Sequence, residues 1–316
     1  MNHSQKMAST QPMNSSKAMN SSQAMNSSQA MNSSQAMNSS KAMNSSQTMN
    51  SSQSMNSSQT MDSSQSMNIM QTLNIYLLES KFEWLKSIRN PAFALPAILF
   101  PALFYIFFGV LMNQHNPEAA TYLLCTYGTF GIIGPALFSF GAGLAVERGQ
   151  GWLDIKDASP MPGSAQIISR LLVSMAFSAM VLVSLGLVAL TMTDVSLSLA
   201  QVLTLSTILI FGGLPFCLLG LTLGLLLKAE SAPAVVNLVY LPMSFLSGLW
   251  IPITVLPSFL QSFAEFLPPY HLSQLTLKVV GLDSGGPVGK HLAILAIFSI
   301  IFFGLAIMTF NKKSIR

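Results

Sequence analysis

The stretch YLLCTYGTFGIIGPALFSFGAGLAV, Tyr122 to Val146, contains no Asp, Glu, Lys, Arg or His. A helix of this length, rising about 1.5 Å per residue, can cross the roughly 30 Å hydrocarbon core of a bilayer. Helices suit that setting because they satisfy their own backbone hydrogen bonds where water is absent. The stretch therefore predicts a membrane-spanning helix, and with it the class of fold.

Five further stretches of similar length are equally free of charge. Of the 316 residues, 51% are hydrophobic and 8% are charged, against roughly 25% charged residues in a soluble domain. This composition excludes a soluble globule and predicts an all-α polytopic membrane protein with six transmembrane helices. The predicted spans are about Phe93–Met112, Tyr122–Val146, Leu171–Met192, Leu199–Leu227, Ala232–Leu256 and Leu292–Phe310.

The distribution of Lys and Arg sets the predicted orientation, because cationic residues that flank spans stay on the cytoplasmic side. The short loops at residues 113–121 and 193–198 have no Lys or Arg. Lys278 and Lys290 lie on the predicted outer side, and two cations in a long connection weaken the prediction only slightly. We expect both termini in the cytoplasm. The cations on the inner side are Lys81, Lys86, Arg89, Arg148, Lys156, Arg170, Lys228, Lys312, Lys313 and Arg316.

Residues 1–68 are a different kind of sequence, in which MNSSQA and close variants place a Met at every sixth position from Met7 to Met67. The tract lacks the apolar residues that offset chain entropy, so we expect a disordered hexapeptide-repeat tract. A folded β-helical solenoid is the alternative that this period leaves open, although such stacks need branched apolar residues. We expect the tract to have little bearing on the rest of the chain.

Residues 69–91 include LNIYLLESKFEWLKSIRNP, which predicts an amphipathic helix lying on the membrane surface. One side of its helical wheel is apolar and the opposite side is charged. Asn90-Pro91 is expected to end the helix. A simple anchoring helix before the first span is the alternative. The apolar side has Leu77, Leu78, Trp84, Leu85 and Ile88, and the charged side has Glu79, Glu83 and Lys86.

The connection between the fifth and sixth predicted spans is apolar but broken by prolines. Non-helical backbone at membrane depth is tolerated only where protein or a water-filled cavity covers it. We therefore predict short re-entrant or interfacial helices at Ser258–Phe266 and Tyr270–Val280. The prolines are Pro252, Pro257, Pro268 and Pro269.

The loop after the second span is ERGQGWLDIKDASPMP, from Glu147 to Pro162. It contains more charged, aromatic and proline residues than a plain connector needs. Its charges, its Trp and its prolines indicate a short amphipathic element that can receive force from a soluble partner. Glu147 and Arg148 adjoin the end of a span, so a helix-capping ion pair is the alternative for these two residues.

In this order, the features resemble those of the membrane subunits of the ATP-binding cassette (ABC) type-2 export family. The resemblance covers Leu73 to Arg316 and includes the first-span sequence PAFALPAILFPALFYIFFG. One departure is Arg170, where the family often has Lys, so that a planar guanidinium replaces a point charge. The matching loop positions are Glu147, Arg148, Gly149 or Gly151, Trp152 with Leu153, and Ser159 with Pro160. The matching outer positions are Gly248, Trp250, Pro252, Pro257, Pro268, Pro269, Tyr270 and His271.

The resemblance implies a permease subunit of a bacterial multidrug, polysaccharide or lipid exporter, in the cytoplasmic (inner) membrane. The implied substrate is amphipathic or lipid-linked. The implied partners are a second permease copy, membrane lipid and a separate ABC ATPase that holds ATP and Mg²⁺, with no nucleic acid. The matching loop would couple to the ATPase, the N-terminal helix would border it, and the matching outer positions would form a re-entrant region.

The sequence features together divide the chain into three parts, of which the repeat tract lies outside the resemblance. They are the repeat tract at 1–68, the interfacial helix at 69–91 and a six-span transmembrane domain at 92–316. We expect no enzymatic activity and no bound cofactor in this chain. Trp152→Ala and Glu147→Ala are expected to leave the protein folded while separating ATP hydrolysis from export.

Other chemistry finds less support in the residues. GLDSGGPVGKH, from Gly281, fails as a phosphate loop because Ser284 stands where Gly is needed and His291 where Ser or Thr is needed. Cys125 and Cys217 lie in predicted spans with no close second Cys or His, so no metal site or disulfide is expected. His271 is open to two interpretations, a proton or ligand role and the satisfaction of local backbone groups.

An ATP-independent carrier or an integral membrane enzyme acting on lipid is the alternative function. A membrane enzyme or a proton-coupled carrier would be expected to place acidic or His residues at one membrane depth. The interiors of the predicted spans have no Asp, Glu, Lys, Arg or His, which favours the transport subunit.

Overall fold

The computed structural model describes residues 69–113, 116–159 and 161–314, and within them the chain is helical with no β-strand. The predicted repeat tract and Pro160 lie outside the described residues. In chain order the helices are α1 (Ile69–Ile88), α2 (Pro91–Leu111), α3 (Pro117–Gly149), α4 (Trp152–Asp157), α5 (Gly163–Met192), α6 (Leu199–Leu226), α7 (Ala232–Leu246), α8 (Ser258–Ala264), α9 (Pro268–Val280) and α10 (Val288–Ser314).

Five of these helices, α2, α3, α5, α6 and α10, are long and apolar enough to cross a membrane. The predicted fifth span is shorter than expected, because α7 ends at Leu246 and does not continue to Leu256. The chain turns there at Gly248, whose φ of 76° lies in the left-handed region that favours glycine. The predicted third span starts earlier than expected, at Gly163, because a helix can begin directly after Pro162 whatever the polarity of its first turns.

The central helix is α3, in which every residue from Cys125 to Leu137 is buried. Its neighbours approach closely where glycine leaves room. A Cβ at Gly131 would overlap Val181 of α5 and Pro101 of α2. Towards its C-terminal end α3 widens into a π-helical stretch, Phe138–Gly143, and such stretches are frequent at functional sites.

Aromatic rings anchor the turn after α7 to the central helices. The Trp250 ring stacks on Phe104 of α2, with 5.4 Å between centroids, and meets Phe130 of α3 edge-on at 5.6 Å. Tyr127 donates a hydrogen bond to the Trp250 carbonyl at 3.3 Å. Tyr240 of α7 donates to the carbonyl of Phe130 at 2.9 Å. The turn that shortens the fifth span is therefore held by side chains from three helices.

Helix α1 ends at Ile88, directly before Asn90-Pro91, as the sequence predicts. Its charged side faces the protein, since Glu83 is buried, while Leu77 and Leu78 on the apolar side are exposed. Trp84 packs against Phe177 of α5 with 5.4 Å between ring centroids. The amphipathic helix therefore attaches to the other helices through Glu83 on its polar side and Trp84 on its apolar side, and it leaves Leu77 and Leu78 uncovered.

The two short helices predicted between the last two spans form as α8 and α9. Helix α9 belongs to the core, because every residue from Pro268 to Leu277 is buried. Its carbonyls receive hydrogen bonds from other helices: Cys125 Sγ lies 3.9 Å from Thr276 O, and Gln201 Nε2 lies 3.3 Å from Val279 O. The second half of the proline-broken connection is thus a packed element, whereas α8 leaves Phe259 and Phe263 exposed.

Candidate functional site

Four charged side chains from three helices meet where α3 ends. Glu147 of α3 forms ion pairs with Arg170 of α5 and Lys86 of α1. Lys86 Nζ lies 2.8 Å from Glu83 Oε2, and Arg170 Nη1 lies 3.4 Å from Glu83 Oε1. We call Glu83, Lys86, Glu147 and Arg170 the ion-pair cluster. It ties α1, α3 and α5 together at one end of the helical body.

The cluster is buried apart from Lys86. Exposed fractions are 4% for Glu83, 8% for Glu147 and 3% for Arg170, and charges at such depth persist only when they are paired. Burial favours the neutral form of Glu83, but the charges of Arg170 and Lys86 outweigh burial and hold its pKa below the ordinary value. Two acids and two cations therefore balance in charge.

Arg170 also contacts the widened part of α3. Its Nη1 donates a hydrogen bond to the carbonyl of Ser139 at 2.9 Å, and Ser139 lies in the π-helical stretch. The planar guanidinium thus serves two carboxylates and a carbonyl at once, which the single ammonium group of Lys matches less well. The resemblance predicted a cation at this position, and the structure shows that the guanidinium of Arg170 contacts Ser139 O in addition to Glu83 and Glu147.

Arg148 does not pair with its neighbour Glu147. It donates instead to the carbonyls of Gly224 at 2.8 Å and Leu225 at 2.6 Å, and to that of Leu227. The last carbonyls of a helix lack partners within the helix, so Arg148 caps the C-terminal end of α6. The Glu147–Arg148 capping pair that the sequence left open is therefore wrong, and the two residues bind different helices.

The loop between α3 and α5 is itself helical over α4. Gly151, with φ of 75°, makes the turn before it, and a Cβ at Gly149 would overlap Ala229. Trp152 and Ile155 are 53% and 63% exposed. Leu153 instead packs against Leu144, Leu225 and Ala306.

The structure therefore separates the two residues of the predicted apolar knob, Trp152 and Leu153. Trp152 points outward, whereas Leu153 holds α4 to the helical body. A second tie is the ion pair between Lys156 Nζ and Glu79 Oε1 of α1, at 2.6 Å. Ser159 Oγ donates to the carbonyl of Lys156 at 2.7 Å and closes the last turn of the loop.

A cleft of about 850 Å³ opens beside the ion-pair cluster. Its walls combine aromatic rings with charges that already pair with one another, so it presents an apolar and electrically neutral surface. Helices α1, α3, α5 and α7 and the loop helix α4 all contribute to it. Lining residues include Phe82, Phe93, Phe138, Trp152, Pro233, Glu79 and Lys156.

The predicted outer residues lie apart from this cluster in the chain and in contacts. Gly248 and Trp250 form the turn after α7, and Pro252 precedes a short 3₁₀ turn at Ile253–Val255. Pro257 caps α8, and Pro268 and Pro269 begin α9. Tyr270 and His271 follow within α9, where both are buried. The structure thus places the predicted outer residues at two helix starts and a turn.

The sequence analysis did not identify the residues that complete the ion-pair cluster and the surroundings of the loop helix α4. Glu83, Lys86 and Glu79 were assigned only to the polar side of α1, and Ile155 was not singled out. The sequence signal for these residues of α1 was the presence of Glu79 and Glu83 on its polar side, because a helix that only lies on a membrane surface does not need acidic residues. In the described ranges, no group of three or more His, Cys, Asp and Glu side chains is arranged to hold a metal ion.

Comparison with known proteins gives a consistent result. The sequence model of the family described as ABC-2 type transporter matches residues 76–280. A similar curated protein is "Putative transport permease YvfS" of Bacillus subtilis (strain 168), 26% identical over 231 residues. That alignment covers 72% of this chain and 94% of the Bacillus protein.

Proposed function

Since this chain belongs to the ABC-2 type transporter family, we propose that it is the permease of an exporter that moves an amphipathic or lipid-linked substrate out of the cytoplasm. The observation that carries the proposal is the ion-pair cluster together with the exposed side of α4. The loop helix is held to α1 by the Lys156–Glu79 pair and to the helical body by Leu153, yet it leaves Trp152 and Ile155 exposed, which suits it to pass a force to the membrane helices.

The proposed coupling residues are those of the loop and its anchors. Trp152 contacts the ATPase, since exposed aromatic residues are common anchors at protein interfaces. Glu147 and Arg148 fix the loop to α5 and α6, and the tight approach at Gly149 keeps it against the α6–α7 connection. Leu153, Ser159 and Pro160 complete the proposed coupling set.

Membership of the family implies an ABC ATPase as the partner. We propose that ATP and Mg²⁺ bind in that separate subunit, and that this chain has no catalytic role. A second copy of the chain completes the membrane path as a homodimer in contact with lipid. The alternative, an ATP-independent carrier or a lipid enzyme, requires no such partner.

The proposed topology adds α7 to the five long helices as the sixth span. Helix α1 lies at the membrane interface, which its exposed Leu77 and Leu78 support. Helices α8 and α9 and the turn after α7 form the outer re-entrant region. Its proposed residues are Gly248, Trp250, Pro252, Pro257, Pro268, Pro269, Tyr270 and His271. The proposed parts are the repeat tract at 1–68, the interfacial helix at 69–91 and the six-span domain at 92–316. Both termini lie in the cytoplasm of a bacterial cell with the protein in its inner membrane.

The cleft beside the ion-pair cluster supports the proposed substrate class. Its aromatic residues suit an acyl or ring system, and its charges are paired among themselves, so a strongly charged ligand would find no free counter-charge. An amphipathic molecule that enters from the membrane interface fits this lining.

The test is reconstitution of the chain in proteoliposomes with and without the ABC ATPase encoded beside it. We expect ATP-dependent movement of a fluorescent lipid or amphipathic dye only when both subunits are present. Transport by this chain alone would favour the ATP-independent carrier, and chemical conversion of the probe would favour the membrane enzyme.

A further inference from the structure

Two buried imidazoles join α9 to α10. His271 of α9 and His291 of α10 are 0% and 2% exposed, and their Nδ1 atoms are 2.9 Å apart. The other ring nitrogen of His271, Nε2, lies 2.8 Å from the carbonyl of Glu265. His291 Nε2 has no hydrogen-bond partner among the atoms that the structure describes. Native proteins seldom bury a polar atom in this way without a role for it.

The hydrogen bonds determine which nitrogens carry protons in the neutral pair. A carbonyl oxygen only accepts, so His271 Nε2 donates to Glu265 and His271 Nδ1 has a lone pair. His291 Nδ1 must then donate to His271 Nδ1. The proton of neutral His291 is thereby used, and its Nε2 keeps a free lone pair. His291 Nε2 is therefore a buried nitrogen that can still accept a proton.

The loop between α9 and α10 runs directly past this nitrogen. Gly285 and Gly286 have φ values of 100° and 97°, in the region that favours glycine. A Cβ at Gly286 would lie 3.4 Å from His291 Nε2. Burial opposes a charge on the His291 ring, whereas the backbone of Gly285 favours it. A proton on Nε2 would therefore have an acceptor in the loop.

The other charged groups around the pair form ion pairs with one another. Lys290 Nζ pairs with Glu265 at 2.9 Å, and Lys278 Nζ pairs with Asp283 at 3.0 Å. The hydrogen bond from Lys278 holds the pKa of Asp283 below its ordinary value. Burial raises the pKa of Tyr270, which therefore stays neutral. Histidine is the side chain whose ordinary pKa lies between about pH 5 and 8.

We propose that the pair binds one proton from solvent, at His291 Nε2, and that this proton is donated to the Gly285 carbonyl and fastens the 281–287 loop to α10. Burial lowers the pKa of His271, so the pair is neutral at neutral pH and takes up its proton in acid. The site is separate from the ion-pair cluster and does not depend on the proposed direction of transport. Acidity on the loop's side of the membrane thus sets how firmly the loop is held.

Hydrogen exchange of the full-length protein in nanodiscs tests this directly. Exchange is measured at about pH 7.5 and about pH 5.5, on either side of the ordinary histidine pKa, and corrected for the effect of pH on chemical exchange. We expect amides of the 281–287 loop to exchange about tenfold more slowly at the lower pH, the factor expected from one hydrogen bond to a charged group. An unchanged rate overturns the proposal.

Two variants separate the proton site from the contact between the rings. In His291→Asn the amide takes the place of Nδ1 and keeps the donor to His271, but Nε2 is lost, so the response to pH should disappear while exchange at neutral pH stays as in the wild type. His271→Asn keeps an acceptor and keeps His291 Nε2, so it should retain the response. A full response in His291→Asn contradicts the proposal.

A measurement on the wild-type chain covers the case in which a variant fails to fold. Nitrogen NMR of ring-labelled histidine distinguishes protonated from bare ring nitrogens. We expect one Nε2 signal to move from the bare to the protonated range between the same two pH values. An Nε2 that remains bare at the lower pH overturns the proposal without any substitution.

Discussion

Arg170 and Glu147 form a buried ion pair that joins α5 to the end of α3, across 23 positions of the chain. Arg170 also donates to Ser139 at 2.9 Å and lies 3.4 Å from Glu83 of α1. Because α4 begins directly after this point, the loop helix lies next to the junction of α1, α3 and α5. If α4 moves with the ATPase as proposed, these ion pairs are the contacts closest to it.

Replacement of Arg170 should be costly. Arg170→Met leaves Glu83 and Glu147 buried without their shared cation, and loss of one partner of a buried pair costs about 3–5 kcal/mol. We expect a clearly lower thermal midpoint in detergent. Glu265→Gln removes one partner of the half-exposed pair with Lys290 and should cause little change. Equal decreases in the thermal midpoint of the two variants would show that burial of the ion-pair cluster does not contribute to stability.

Trp152→Ala should leave the fold intact, since the ring is 53% exposed. If the ring anchors the ATPase, truncation should weaken that association by about 2 kcal/mol or more and separate ATP hydrolysis from export. Association, ATPase activity and transport are compared in reconstituted complexes. Phe259→Ala, which removes a 69% exposed ring from α8, is the matched control. Normal coupling in Trp152→Ala would reduce the loop to a plain connector.

The burial of Glu147 changes the expectation for Glu147→Ala. A fold-neutral result no longer follows, because the substitution leaves Arg170 deeply buried with only Glu83 as a carboxylate partner. Glu147→Gln keeps the shape and is the better variant for testing coupling. Its thermal midpoint must be measured beside transport, so that loss of stability is not mistaken for loss of coupling.

Stability should fall in acid through Glu83. Its folded pKa lies below the value of 4.5 for an isolated Glu, so its stabilising contribution is fully present above about pH 4.5 and is lost as pH falls through the folded pKa. Thermal midpoints recorded from neutral to acid pH should therefore decline less steeply in Glu83→Gln than in the wild type. Glu230→Gln alters an exposed residue and should keep the wild-type slope. Identical slopes in all three proteins would contradict this role of Glu83.

Gly131 should tolerate no side chain. A Cβ there would overlap Val181 and Pro101, so Gly131→Ala must push α5 or α2 away from α3, and overpacking of this kind typically costs about 1–3 kcal/mol. Gly186 of α5 has no atom within 4 Å of such a Cβ, so Gly186→Ala should be neutral or stabilising by up to about 1 kcal/mol. A midpoint for Gly131→Ala at or above that of the wild type would contradict the packing argument.

Deletion of Asn2 to Asn68 should leave membrane insertion and ATPase association nearly unchanged, because the repeats lack residues that can pack. Membrane fractionation and co-purification of the shortened and full-length chains measure both properties. Loss of association in the shortened chain would identify the tract as a docking element.

Local patterns were sufficient for the helices. The charge-free runs predicted α2, α3, α5, α6 and α10, since length and polarity are properties of each segment by itself. Prolines predicted the break that separates α7, α8 and α9, because Pro removes a backbone donor wherever it stands. Boundaries were less secure: the start of α5 at Gly163 and the end of α7 at Leu246 depend on turns that hydropathy does not detect.

The sequence by itself determined a helical membrane protein, the position of its loop helix and the proline-broken connection between its last two predicted spans. Only the tertiary structure decided that Glu147 meets Arg170 and Lys86, that Arg148 caps α6, and that His271 meets His291. The physical reason is distance along the chain: Lys86 and Glu147 are 61 positions apart. Hydropathy and periodicity describe one helix at a time, whereas the partner of a buried charge depends on which helix faces pack together.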